Sequence, residues 1–299
     1  MRIIIKIGTS SLVNEDGTLK QEMLTRIAET TRGLMDSGNE VVVVTSGAIG
    51  CGKGILKYAL TNNLHIKDKE FCKKTKFKTI ENTILSGIGQ VSLMSHYLIE
   101  FLKVGLIPEQ SLVAGKRDIN DSTLQENIEE CFQLGIVPVI NANDTVYAKE
   151  VETDGNERFD DNDELSAELA RMIKADALFL ASTIEGYYDK TGRVVEQIAF
   201  NEIDGFVAIS DKTTSEGGTG GIISKLRAGQ MSGCDTHIIH NTRIGDIDKA
   251  LQGERIGTKI CKKTTFIESI KVFLSNDEER KGDGCDERSD NSKLTEERV

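Results

Sequence analysis

The chain has 299 residues, of which 48 are acidic and 37 are basic, and its formal net charge is −11. This balance argues against sequence-independent binding of nucleic acid, which needs a basic surface, but it permits a small anionic substrate in a cleft of local positive charge. No apolar run reaches the roughly 20 residues of a membrane span, and we interpret the six scattered cysteines as reduced thiols of a cytoplasmic protein without a signal peptide.

The chain begins with two strand-and-loop units. Ile3–Ile5 and Val41–Val44 have the composition of buried parallel strands, and the helical pattern of Lys20–Asp36 between them predicts a parallel sheet with a right-handed crossover. The loops after both strands, Lys6–Ser10 and Thr45–Gly50, therefore lie at the edge where such sheets bind ligands. A buried lysine needs an anionic partner, so we favour a phosphate contact for Lys6 over a solvated lysine on an edge strand.

The middle of the chain alternates between polar and periodic segments. Lys53–Lys78 is lysine-rich and without period, which predicts a surface loop, and a helix is predicted from about Thr79 to Lys103 with Gly87–Gln90 as a candidate break. A third loop at the ligand edge, Asn141–Val146, follows a core strand. The remaining predicted elements here are a strand over 106–113, a helix over 122–134 and a strand over 136–140.

An acidic segment precedes the next predicted helix, which continues to Met172. Part of this charge is favourable with the helix macrodipole, yet Asp161-Asn162-Asp163 is more than capping requires. A carboxylate here could hold two lysines in place. The EF-hand spacing is missing, and we assign no metal-ligating residues.

The last third of the chain contains a glycine-rich stretch from Gly217 to Lys225. Glycines let backbone N–H groups approach an anion, and the following helix N-terminus and lysine add positive charge. The Walker spacing is absent, so this stretch alone predicts phosphate binding only weakly. The flanking predictions are a strand over 177–182, packed tyrosines at 187 and 188, a turn over 189–193, a strand over 236–240 and a disordered charged tail from about residue 276.

Five loops together resemble the glutamate 5-kinases of the amino acid kinase family. The motifs, in chain order, are Lys-x-Gly-Thr-Ser, Val-Thr-Ser-Gly-Ala-Ile, Val-Pro-Val-Ile-Asn-x-Asn-Asp, Asp-Asn-Asp-x-Leu-Ser-Ala and Gly-Thr-Gly-Gly before a lysine. The resemblance covers residues 1–267 and implies an α/β fold, a three-layer α/β/α sandwich around a mainly parallel sheet. Residues 268–299 are then a charged, disordered tail, and the PUA domain of many relatives is absent.

The resemblance also implies an activity. ATP, with Mg²⁺, phosphorylates the side-chain carboxylate of L-glutamate to L-glutamyl 5-phosphate, the first step of proline biosynthesis. The implied protein is a cytoplasmic homo-oligomer that is functionally coupled to glutamyl phosphate reductase and has no nucleic-acid or membrane partner.

The resemblance assigns roles to residues of three groups. Lys6 and Lys225 flank the transferring phosphoryl group, and Asp163 orients them. The glutamate contacts are Ser46, Gly47, Asn141, Asp144 and Asn162. The nucleotide contacts are Lys6, Gly8, Ser182, Thr183, Thr219, Gly220, Gly221, Ile222, Ile223, Ser224 and Lys225. The chain departs from the family at Thr183, where an aspartate is usual, and at Ile222-Ile223.

Two alternatives remain beside this interpretation. One is another carboxylate, carbamate or phosphate-monoester kinase of the same superfamily. Asp144 argues against a phosphate monoester, because a carboxylate repels it and suits an ammonium group. The other is a non-catalytic nucleotide- or amino-acid-binding homologue.

Overall fold

The computed structural model describes residues 1–62, 64, 66, 81–146, 157, 159–213 and 220–261. The predicted tail, most of the predicted 53–78 loop and residues 217–219 of the glycine-rich stretch lie outside these residues. The described part up to Cys261 belongs to one compact unit. Within it, no helix is long and apolar enough to cross a membrane.

A single eight-stranded sheet organises the described residues, with the strand order β3-β4-β2-β1-β5-β7-β8-β6. Its strands are β1 Arg2–Ile7, β2 Glu40–Val44, β3 Pro108–Val113, β4 Val137–Ala142, β5 Ala177–Ser182, β6 Gln197–Ala199, β7 Asp235–His240 and β8 Thr258–Cys261. The β7–β8 pair is antiparallel and the other pairs are parallel, which confirms the prediction of a mainly parallel sheet.

Helices cover both faces of this sheet. The described helices are α1 Thr9–Leu12, α2 Gln21–Asp36, α3 Ala48–Thr61, α4 Asn82–Lys103, α5 Lys116–Asn120, α6 Ser122–Leu134, α7 Asn162–Met172, α8 Ile203–Thr213, α9 Gly220–Ser232 and α10 Ile247–Leu251. Side chains alternate between the faces of a strand, so that Ile3 and Ile5 pack with α2 and α4 while α7 contacts β1 and β5. The three-layer α/β/α prediction is confirmed.

The parallel register brings the polar loops to one edge. β1 lies between β2 and β5 and is parallel to both, and β4 extends the sheet beyond β2. The carboxyl ends of these strands carry Lys6, the Thr45 loop, Asn141 and Ser182. Ligands of open α/β sheets bind at this edge.

Two predictions about the segment after β2 are wrong. Lys53 and the residues up to Thr61 are not loop but belong to α3, and α4 runs without a break through Gly89. The glycines serve close packing instead of interrupting the helix. A Cβ at Gly89 would lie 1.8 Å from the carbonyl oxygen of Ala48, and one at Gly52 would lie 1.9 Å from that of Leu85.

Candidate active site

Three charged side chains form the centre of the site. The Nζ of Lys6, near the end of β1, lies 2.6 Å from Oδ1 of Asp163, and the Nζ of Lys225, in α9, lies 2.9 Å from Oδ2. All three side chains are at least nine-tenths buried. Burial raises the pKa of Asp163, but the charges and hydrogen bonds of the two lysines outweigh it and hold that pKa below its ordinary value. The carboxylate is thus ionised and holds both ammonium groups.

The first turn of α7 presents this carboxylate. Asp161 is the N-cap of the helix, and its Oδ1 accepts hydrogen bonds from the backbone N–H groups of Asp163 at 2.8 Å and Glu164 at 3.0 Å. The hydroxyl of Ser224 donates to Asp161 and also to Oδ2 of Asp163, at 3.1 Å. These contacts join the start of α7 to α9 and place Lys225 on Asp163.

A cavity of about 430 Å³, called the acceptor cavity here, opens on the Lys6 side. Its lining includes Lys6 and all five predicted glutamate contacts: Ser46, Gly47, Asn141, Asp144 and Asn162. Gly47 caps α3 with φ of 104°, and a Cβ there would lie 2.8 Å from Cγ2 of Val13. Only glycine fits this position without strain.

The amide of Asn162 ties the loops of this cavity together. Its Nδ2 shares two hydrogens among three acceptors: the carbonyl oxygen of Thr45 at 2.7 Å, Oγ of Ser46 at 2.7 Å and Oδ1 of Asn141 at 3.0 Å. The ends of β2 and β4 and the start of α7 are therefore held by one side chain. The acceptor cavity has a defined polar wall, since each of these groups is hydrogen-bonded.

A second cavity of about 510 Å³, called the nucleotide cavity here, lies on the Lys225 side. The predicted nucleotide contacts that line it are Ser182, Thr183, Gly221, Ile222 and Lys225. Of the others, Lys6 lines the acceptor cavity instead, and Gly8 and Ile223 line neither of these two cavities. Ser224 contacts Asp163, and Gly220 begins α9. Thr219 lies outside the described residues.

Several lining residues were missed from the sequence. Lys53 and Thr9 line the acceptor cavity, and Ser10, Tyr188 and Lys190 line the nucleotide cavity. Lys53 lies in a segment whose sequence has no apolar period. Gly47, the N-cap of α3, is the signal that could have placed Lys53 in a helix beside the cavity. The prediction that both tyrosines pack is confirmed for Tyr187, whose ring lies edge-on to that of Phe206 with centroids 5.1 Å apart. It is wrong for Tyr188, which is 44% exposed.

The geometry suits transfer of an anionic group between two anionic molecules. Each cavity has one lysine of the central triad on its wall, and Asp163 joins those lysines. Fixed ammonium groups stabilise charge that develops between bound anions. Among the described residues, no cluster of three or more His, Cys, Asp or Glu side chains could hold a metal ion.

Comparisons with known proteins agree with this architecture. Residues 1–240 match the model of the amino acid kinase family. A glutamate 5-kinase of Thermoanaerobacter sp. (strain X514) is 34% identical over 289 residues, covering 92% of this chain and 72% of the relative. A glutamate 5-kinase of Lactococcus lactis subsp. lactis (strain IL1403) is 33% identical over 276 residues, covering 88% of this chain and 96% of the relative.

Solved structures share the fold at lower identity. An isopentenyl phosphate kinase of T. acidophilum, in a product complex, superposes with a TM-score of 0.55 at 16% identity, covering 87% of this chain and 100% of that one. A UMP kinase of Bacillus anthracis gives 0.57 at 14% identity, covering 88% and 96%. At such identities these structures inform on the fold alone.

Proposed function

The chain belongs to the amino acid kinase family, with glutamate 5-kinases among its relatives, and we propose that it phosphorylates the side-chain carboxylate of L-glutamate with ATP. The product is L-glutamyl 5-phosphate, and the reaction is the first step of proline biosynthesis. The observation that supports this most strongly is the pair of cavities joined by Lys6, Asp163 and Lys225. It provides one compartment for each substrate and positive charge between them.

The chemistry needs positioning more than proton transfer. A side-chain carboxylate with an ordinary pKa of about 4.3 is ionised at neutral pH, so that no general base is required. One of its oxygens forms a bond to the γ-phosphorus of ATP while the bond from that phosphorus to the bridging oxygen breaks and ADP leaves. Lys6 neutralises charge from the acceptor side and Lys225 from the nucleotide side, and Asp163 keeps the two ammonium groups in place.

The acceptor cavity offers a carboxylate and neutral amides to an α-amino acid. Asp144 suits the α-ammonium group, and the amides of Asn141 and Asn162 suit polar groups of the substrate. Ser46 and the backbone at Gly47 face the same cavity. This combination of an anion and neutral amides supports an amino acid over a phosphate monoester.

The nucleotide cavity fits the phosphates of ATP at the start of α9. Gly221 lines it, and nothing of the described protein lies within 4 Å of the position that a Cβ would take there. The N-terminus of the helix and Lys225 both favour phosphate. Mg²⁺ in kinase sites is bound mainly by substrate phosphates and water, so we assign it to the bound nucleotide, whose phosphate charge it neutralises.

We further propose that identical copies of the chain assemble in the cytoplasm, where both substrates are available. One face of α4 carries apolar side chains without cover from the described residues: Ile84, Val91, Leu98, Ile99 and Leu102. An exposed apolar face of this kind marks an interaction surface, and we assign it to a second copy of the chain. The acyl phosphate product is reactive toward water, which favours functional coupling to the reductase that consumes it.

The test is the release of ADP with a panel of acceptors at saturating ATP and Mg²⁺. The expected result is turnover with L-glutamate that exceeds turnover with N-acetylglutamate, carbamate or UMP. A preference for an acceptor without a free ammonium group would assign the chain to another reaction of the superfamily. Binding of ATP without turnover on every acceptor would identify a non-catalytic homologue.

A further inference from the structure

The hydrogen bonds beside the acceptor cavity fix the orientation of two amides. The Nδ2 of Asn162 donates to a backbone carbonyl, Thr45 O, which can only accept, and Oδ1 of Asn141 accepts from a backbone N–H, that of Ala142 at 2.9 Å, which can only donate. Neither side chain can be flipped without losing a bond to the backbone. The direction of the remaining contacts follows from these two.

Gln90 is the next member of this chain of amides. The Nδ2 of Asn141 donates at 2.8 Å to Oε1 of Gln90, which lies in α4. The orientation of Asn141 therefore requires an acceptor at position 90. Gln90 supplies it with its carbonyl oxygen, and its own Nε2 points away from Asn141.

The Nε2 of Gln90 has no hydrogen-bond partner among the described residues, although the side chain is only 7% exposed. Leaving a buried donor unpaired costs about 1–3 kcal/mol. The acceptor that Gln90 provides to the buried Nδ2 of Asn141 offsets part of this cost, and a methionine would leave that donor unpaired instead. A buried amide of which only one end is paired still needs an explanation.

The hydrogen-bonded amides of Asn162, Asn141 and Gln90 leave one donor and one acceptor available beside the acceptor cavity. One N–H of Asn141 is bound to Gln90, and its other N–H has no acceptor among the described residues. Oδ1 of Asn162 likewise accepts no hydrogen bond from them. Both residues line the cavity. This donor and this acceptor belong to two side chains that are joined by a hydrogen bond of 3.0 Å, and they match the α-carboxylate and the α-ammonium group of an amino acid.

We propose that Gln90 is a positioning residue that acts through Asn141 and so makes the acceptor site selective for an α-amino acid. An amide serves better than a carboxylate at this position because it accepts the hydrogen bond without adding negative charge beside a dicarboxylate substrate. This inference rests on the proposed function and extends it to a residue outside the cavity lining. Gln90 does not contact the reacting atoms.

The test is a double-mutant cycle in the full-length chain, with Gln90→Met, Asn141→Ala and the double variant. Gln90→Met is expected to raise the KM for L-glutamate about tenfold, as for the loss of one hydrogen bond, with the KM for ATP and kcat near wild type. The double variant is expected to be no worse than Asn141→Ala alone, because Gln90 acts through that residue. Gln90→Glu, which keeps an acceptor oxygen, is expected to have a lower KM for L-glutamate than Gln90→Met.

A matched control is Thr31→Val. The Oγ1 of Thr31 is another buried group without a partner among the described residues, but it lies in α2, and its removal is expected to leave both KM values unchanged. Wild-type enzyme is assayed first, and no turnover of L-glutamate there would overturn the proposed function itself. If the wild type is active, either of two results would overturn the inference and leave Gln90 with a structural role only. One is that the effects of Gln90→Met and Asn141→Ala on the KM for L-glutamate are additive. The other is that both Gln90 variants raise the KM for ATP and the KM for L-glutamate equally.

Discussion

At the scale of single residues, the central feature is one buried carboxylate that serves two lysines. Asp163 gives one oxygen to Lys6 and the other to Lys225. A buried ion pair contributes little net stability, but the removal of one partner leaves an uncompensated charge. The sequence predicted that Lys6 needs an anion and that Asp161-Asn162-Asp163 exceeds helix capping. Their contact depends on tertiary structure that no local pattern contains.

A different buried residue contributes to the response of stability to pH. His237 lies in β7 and stacks on the ring of Phe179, with ring centroids 4.7 Å apart. Burial first, and then the charge of Lys259, lower its pKa from 6.5 to about 4, against a smaller opposing effect of Asp235. Between these two values the unfolded chain binds more protons than the folded one, so the stability due to neutral His237 is present above pH 6.5 and is lost as the pH falls toward 4.

We therefore expect His237 to remove about 2 kcal/mol from the free energy of unfolding between about pH 7.5 and about pH 5. Urea unfolding at both values measures this. His237→Phe keeps the stack on Phe179 and is expected to flatten that part of the profile. An equal drop in wild type and variant would show that other groups cause it.

At the scale of elements, α3 and α4 are held together by glycine. Gly89→Ala would place a Cβ 1.8 Å from the carbonyl oxygen of Ala48 and 2.5 Å from the backbone nitrogen of Gly52. The helices must then separate, and we expect the free energy of unfolding to fall by about 1–3 kcal/mol in spite of the better helix propensity of alanine. Ala48 lines the acceptor cavity, so the KM for L-glutamate should rise as well.

Gly33→Ala is the control for this change. Gly33 lies inside α2, and nothing is within 4 Å of the position of its Cβ. Only the higher helix propensity of alanine acts at this position, and we expect the free energy of unfolding to rise by about 0.5–1 kcal/mol. Chemical unfolding measures both variants, and a Gly89→Ala protein as stable as Gly33→Ala would refute the close-packing account.

These two helices also show which features of the fold a local sequence pattern does not predict. Runs such as Val41–Val44, and the apolar period before Asp36, predicted β2 and α2 well because one local pattern determines each. Gly89 was interpreted as a candidate helix break, since its role appears only when α3 lies against it. Short strands such as β6 and β8, of three and four residues, have no local pattern long enough to predict them.

The site shows the same division. The loops at the carboxyl ends of strands could be grouped from topology alone, since parallel strands bring them to one edge. Gln90 and Lys53 could not be grouped with them, because each lies inside a helix and reaches the acceptor cavity or its wall only through tertiary packing. Charge and hydroxyl patterns identify a site, whereas the residues that orient it depend on the fold.

At the scale of the whole molecule, the apolar face of α4 predicts assembly. Val91 is 70% exposed at the centre of this face, and Val91→Glu would place a charge in the proposed contact, where a buried unpaired charge is costly. We expect the variant to have a lower mass than wild type by light scattering at equal concentration. Leu134→Glu, at a similarly exposed apolar residue in α6, is expected to leave the mass unchanged, and a monomeric wild type would contradict the assignment.

The proposed phosphoryl transfer depends on two cavities that meet at one charged centre. The most direct test is ATP-dependent formation of glutamyl hydroxamate by wild type and by Lys225→Ala, with Arg227→Ala as a control at an exposed residue of α9. Lys6 still pairs with Asp163 in Lys225→Ala, so we expect a folded protein in which the rate falls at least about 100-fold, while Arg227→Ala stays near wild type. A folded Lys225→Ala protein with near wild-type turnover of L-glutamate would show that Lys225 does not take part in phosphoryl transfer.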